Sequence, residues 1–122
     1  MLNAAFAILG VAVLLGSALA VLELRTESPT APVPLKTAHG LLAIAGFACL
    51  VPALGGPPRG VAAGTGAFGV IAAVFLGAAA LIGGVILATH VWTTRRTGLL
   101  IGIHATLAVS GFVILAAYIF AS

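Results

Sequence analysis

His39 and His104 each head a twelve-residue segment, and the two segments match. His39-Gly-Leu-Leu-Ala-Ile-Ala-Gly-Phe-Ala-Cys-Leu50 and His104-Ala-Thr-Leu-Ala-Val-Ser-Gly-Phe-Val-Ile-Leu115 agree at six of twelve positions, 65 residues apart. The shared residues are His39/His104, Leu42/Leu107, Ala43/Ala108, Gly46/Gly111, Phe47/Phe112 and Leu50/Leu115. On a helix they fall within an arc of roughly 140°, so one face is kept while the others vary. A kept face is a contact surface. This one carries an imidazole in a segment with no other ionisable group besides Cys49. Imidazole binds metals and exchanges protons near neutral pH, and an ionisable ring in an apolar span is a functional candidate by default. Two opposed imidazoles could supply both axial ligands of a haem iron. Zinc and di-iron sites fit less well, because they want thiolates or carboxylates beside the histidines and no Asp or Glu falls in the apolar segments.

The elements that must position these rings follow from composition. Of 122 residues, 62% are apolar and 6% charged, with a mean hydropathy of +1.32. A small globule cannot hide so much apolar surface from water. Long apolar stretches run approximately over 2–22, 37–54, 64–94 and 98–121. Each is near the ~20 residues that cross a bilayer as helix, and none alternates as a barrel strand would. The expected fold class is all-α: a polytopic membrane protein, a single up-down-up-down four-helix domain over 1–122 with a parallel 2+2 internal repeat. Ser17-Ala-Leu-Ala20 resembles a leader cleavage site, but no Lys or Arg precedes the apolar run, so the first stretch is expected to be a span.

Five basic residues against two acidic ones raise the pI to about 10 without implying nucleic-acid binding. Their placement is more informative. Arg25, Lys36, Arg95 and Arg96 lie in the first and third connections, and Arg59 alone lies in the second. The positive-inside rule then puts the first and third connections in the cytoplasm and both termini outside, in a bacterial inner membrane. The first connection, from Glu23 to Lys36, holds Pro29, Pro32 and Pro34 and both acids, and reads as an extended solvated loop in which Glu23 and Glu27 are solvated or paired with Arg25. Gly55-Gly-Pro-Pro-Arg-Gly60 and Thr93–Thr97 read as tight turns. Cys49, alone, reads as a small buried apolar residue.

In such a bundle spans two and four occupy opposite corners, so His39 and His104 face each other across the axis. Gly46 and Gly111, two turns along the same faces, would leave room for the edge of a macrocycle. Arg95, Arg96 and Lys36 lie where propionates would emerge. His90 is a third candidate ligand, although its place beside Trp92 suits an interfacial histidine better. The repeat could instead preserve a packing seam in which His39 bonds to polar groups of span four such as Thr106 or Ser110. Ala12, Gly16 and Ala20 on span one, with Gly77 and Gly83-Gly84 on span three, read as small residues for close helix packing. Spans one and three otherwise share only Ala5-Phe6 against Ala67-Phe68.

The His-Gly-Leu-Leu-Ala-x-x-Gly-Phe pattern, its second copy and the four spans resemble small bacterial four-helix membrane proteins and, more distantly, four-helix haem b membrane cytochromes of the cytochrome b561 kind. That second resemblance covers two spans of four and implies bis-histidine haem on spans two and four, which falls on His39 and His104. Those cytochromes commonly use four histidines for two haems; three histidines allow one. The chain also has the size of small multidrug transporters, but lacks the membrane Glu those carry in their first span. The expectation is a membrane electron-transfer protein or subunit, rather than a free-standing enzyme, with one haem b and a quinone as partner at the bundle surface. The rival is a cofactor-free accessory subunit of a larger respiratory or photosynthetic membrane complex. Both put the chain in a lipid bilayer, among other membrane subunits or copies of itself, and neither involves nucleic acid.

Overall fold

The computed structural model describes residues 1–25, 31–92 and 98–121, and of residues 24 and 90–92 the backbone alone. It is all-helical, with α1 over Leu2–Arg25, α2 over Val33–Ala53, α3 over Phe68–Trp92 and α4 over Gly98–Phe120. Each helix holds a stretch of 21 to 23 residues apolar enough to cross a membrane. At 1.5 Å per residue such stretches reach about 32–35 Å, the thickness of a hydrocarbon core with little to spare. A helix bonds its interior main-chain polar groups within itself, which is what lipid demands; Pro52 near the end of α2 interrupts that pattern once.

The ends of the helices differ from expectation at two places. α2 starts at Val33 rather than Thr37: Pro32 caps it at φ −58° and ψ 135°, and Pro34 sits in the first turn, where a missing N–H costs nothing. Prolines read as loop-formers thus start a helix. α1 correspondingly runs on to Arg25, so the solvated loop expected from Glu23 to Lys36 is shorter by several residues at each end. α3 starts at Phe68 rather than Gly64, because Gly60 and Gly64 adopt positive φ (65° and 74°) and fold the chain into a turn. Thr65 closes that turn with backbone and hydroxyl bonds to the Gly60 carbonyl.

α1 packs most extensively on α2, and α3 on α4; α1 meets α4 and α2 meets α3 more thinly. Among the described residues α1 and α3, and likewise α2 and α4, make no close backbone approach, so they stand at the diagonals. The contacts run in opposite senses along each neighbouring pair: Gly16 meets His39 while Leu9 meets Gly46, and Gly83 meets His104 while Gly69 meets Tyr118. The packed core lies toward the second connection. Ala5, Leu50, Ala72 and Leu115 are wholly buried there, with Leu2, Leu9, Leu76 and Tyr118 beside them. Phe6 stacks on Phe112 at 4.8 Å, and the Tyr118 hydroxyl accepts a bond from the Arg59 backbone N–H, tying α4 to the second connection. Beyond the histidines, toward the first and third connections, Leu19 and Ala31 are the only buried residues among those described. Among the described residues, buried side chains are concentrated at one end of the bundle and sparse at the other.

Burial in lipid is rewarded by close packing rather than by escape from water, so core and surface leucines should separate sharply. Leu50→Ala and Leu115→Ala should each cost about 2–4 kcal/mol through the cavity they leave. Leu41→Ala, at a position 64% exposed, should change stability by less than about 0.5 kcal/mol. Unfolding of the purified variants in mixed micelles would measure the difference.

Candidate functional site

Each histidine is seated by the helix beside it. His39 on α2 donates its Nδ1–H to the Ala12 carbonyl oxygen of α1 at 2.8 Å, and His104 on α4 donates its Nδ1–H to the Ala79 carbonyl of α3, also at 2.8 Å. A carbonyl oxygen can only accept, so the proton is on Nδ1 in both rings, and in the neutral ring Nε2 keeps its lone pair. Glycines make the seats. A Cβ on Gly16 would lie 2.7 Å from Cε1 of His39, and one on Gly83 would lie 3.1 Å from Cε1 of His104. No side chain fits at either position unless the ring moves.

The two rings meet. Their centroids are 6.0 Å apart and their planes stand at 84°. Both are half-buried, and among the described residues neither Nε2 has a hydrogen-bond partner. The spacing is informative. Two metal–imidazole bonds of about 2 Å, together with the two ring radii, span much the same distance. Among the described residues no third His, Cys, Asp or Glu gathers with the pair to make a group that could hold a metal ion.

The seats repeat as the histidines do, but in a register different from Ala5-Phe6 against Ala67-Phe68. At a spacing of 67 residues α1 and α3 share Ala5/Ala72, Leu9/Leu76, Gly10/Gly77, Ala12/Ala79, Leu14/Leu81 and Gly16/Gly83. Five of these do matching work. Ala5 and Ala72 are buried core; Leu9 and Leu76 pack on Gly46 and Gly111; Gly10 and Gly77 receive Phe112 and Phe47; Ala12/Gly16 and Ala79/Gly83 seat the imidazoles. Even the lipid-facing pair matches, with Leu14 and Leu81 both well exposed. The small residues read as general packing aids thus have a specific partner, and the signal that could have found them was this second repeat.

Other expected site residues fall out differently. Gly46 and Gly111 are buried, but Leu9 and Leu76 sit where their side chains would be, within 3 Å of a Cβ. These glycines admit the neighbouring helix, and the clearance expected beside them for a macrocycle is filled. The small residues left on the histidine faces are Ala43 and Ala108, one turn along and only half-buried. His39 does not bond to span four: the Thr106 hydroxyl bonds to the Gly102 carbonyl of its own helix. Lys36 lies one turn before His39 and pairs with Glu23, so this acid of the first connection is paired, from the end of α1. The His90 backbone lies in α3; its side chain, Arg95, Arg96 and Glu27 lie outside the described residues. Cys49 is half-buried on α2, free of any disulfide. Comparison with known protein families, with curated proteins and with solved structures finds no match to the chain.

The seats make a graded prediction. Gly16→Ala should displace the His39 ring and cost about 1–3 kcal/mol, with Gly83→Ala milder because its contact is longer. Gly40→Ala, where nothing lies within 4 Å of the new Cβ, should be neutral or stabilising as a helical Gly→Ala change. Thermal unfolding ranks the three. Nitrogen-15 NMR of the imidazoles should show Nδ1 protonated in the parent and a shifted His39 signal in Gly16→Ala.

Proposed function

We propose that this chain is a one-electron carrier of the bacterial inner membrane, holding a single b-type haem between His39 and His104. The observation that carries the reading is the pair itself: two imidazoles at 6.0 Å, each fixed through Nδ1 to a backbone carbonyl, each with Nε2 left over. Anchoring of that kind fixes the tautomer and orientation of a metal-ligating histidine and raises its basicity. A haem bound there would supply reversible one-electron chemistry, with a quinone as the expected partner at the bundle surface.

The remaining residues support this in stated ways. Ala43 and Ala108 are the small residues one turn along the histidine faces, and Phe47 and Phe112, a turn further, pack on Gly77 and Gly10. The end of the bundle with few buried side chains, beyond the histidines, is where Lys36, Arg95 and Arg96 belong by sequence and where propionates would be neutralised. In this reading the chain is an up-down-up-down bundle built as a parallel 2+2 repeat. Its first and third connections are cytoplasmic and its termini outside, by the distribution of Arg and Lys. The halves contribute equally: each brings one ring, one seat, one Phe knob and one Gly hole.

A second reading rests on the same hydrogen bonds. They tie α2 to α1 and α4 to α3 whether or not anything lies between the rings, which suits a cofactor-free subunit of a larger membrane complex. Spectroscopy separates the two. The purified, dithionite-reduced protein should show the sharp α-band of low-spin haem b, and His39→Ala and His104→Ala should each abolish it. In the oxidised protein, axial planes near 84° should give the strongly anisotropic low-spin EPR signal of perpendicular ligands, not the rhombic signal of parallel ones. A colourless, stably folded protein that takes up no added haem would sink the proposal in favour of the second reading.

A further inference from the structure

The two halves match around the rings but not around the charges. Glu23, near the end of α1, stands seven residues past Gly16, two helical turns on the same face. Its counterpart at the 67-residue spacing is His90, and the counterpart of Lys36 at the 65-residue spacing is Ile101. Thus one half carries an ion pair two turns beyond the seat of its histidine, and the other half has no acid in its sequence to match it.

That pair is the only salt bridge among the described residues. Glu23 is 15% exposed, and its Oε1, which faces the Lys36 ammonium, is shielded from solvent. Lys36 stays 30% exposed, and a half-buried ion pair is a weak source of stability, since lost hydration offsets much of the attraction. An acid at the end of a membrane span, held by a named partner, points to function. Among the described residues the groups around it are few. Lys36 faces it from α2, Arg25 is exposed on its own helix, α4 brings no charge in its described residues, and α3 has His90 at the matching register.

We infer that Glu23 is the proton-exchanging group of the redox centre: a negative charge arriving between His39 and His104 is balanced by a proton taken up on its carboxylate. This rests on the haem reading. The balance is simple. With haem bound, the centre would take up one electron from a donor such as a quinol, or dithionite in the test. One proton from hydronium in the solvent converts the Glu23 carboxylate to the acid, leaving water, and the Lys36 ammonium is released from it. No other bond forms or breaks. Electrostatic attraction through a poorly screened interior makes the two events favour each other.

Spectroelectrochemical titration of the haem-loaded full chain between about pH 5 and pH 8 tests this. The midpoint potential should become less positive as pH rises, by up to ~59 mV per pH unit for one proton per electron. Glu23→Gln should flatten that slope, whereas Arg25→Gln should leave it intact. If Glu23→Gln fails to fold, reduced-minus-oxidised infrared difference spectra of the parent serve instead. They should show a protonated carboxyl band that shifts with carbon-13 labelling of Glu. A coloured protein whose potential ignores pH, or whose slope survives Glu23→Gln, overturns the inference alone. A protein that binds no haem overturns the proposed function with it.

Discussion

Lipid offers no hydrogen bonds, and the interior of this bundle is organised around that refusal. An imidazole carries an N–H wherever it goes, and in a span that N–H must find an acceptor within the protein. Here the acceptors are helix carbonyls already engaged in their own helix, which have a second lone pair to give. Using them requires the histidine to come close to the backbone of the next helix. That closeness requires glycine at the point of contact and a small residue one turn before it. The composition of α1 and α3 on this face follows from where two protons have to go.

The same demand sets how the helices associate. With hydrophobicity neutral between lipid and leucine, contact must come from shape. Gly10 and Gly77 admit the rings of Phe112 and Phe47, and Gly46 and Gly111 admit Leu9 and Leu76. The first set joins the hairpins to each other and the second closes each hairpin on itself. Phe6, which matches Ala73 in the 67-residue register, has no equivalent in the other half, and it stacks on Phe112 where α1 meets α4.

Much of this was legible in the residues, and what was not has physical reasons. Span number and rough position follow from apolar length alone, and the imidazole pair stands out because one helix face recurs. The seats were harder to see. Gly16 and Gly83 resemble any other glycine in a membrane helix until a register is chosen, and the Ala5-Phe6 match suggested the wrong one by five residues. Gly46 and Gly111 lie on the histidine face, where a missing side chain suggests space for a ligand. Their neighbours are leucines from helices whose approach no single-helix pattern encodes. Lys36 and Glu23 looked like loop residues because Pro32 and Pro34 mimic a linker, whereas proline at the first turn of a helix is an ordinary way to begin one.

The acceptors for His39 and His104 belong to the main chain, and that has a lasting consequence. No point substitution can delete a carbonyl oxygen, so the anchor of each ring is inherited with the helix and is indifferent to the identity of residues 12 and 79, provided they stay small. Drift along α1 and α3 can therefore erase almost every recognisable letter while the imidazoles remain held at the same angle. Kinship among such chains would be written in the spacing of a few glycines rather than in overall likeness.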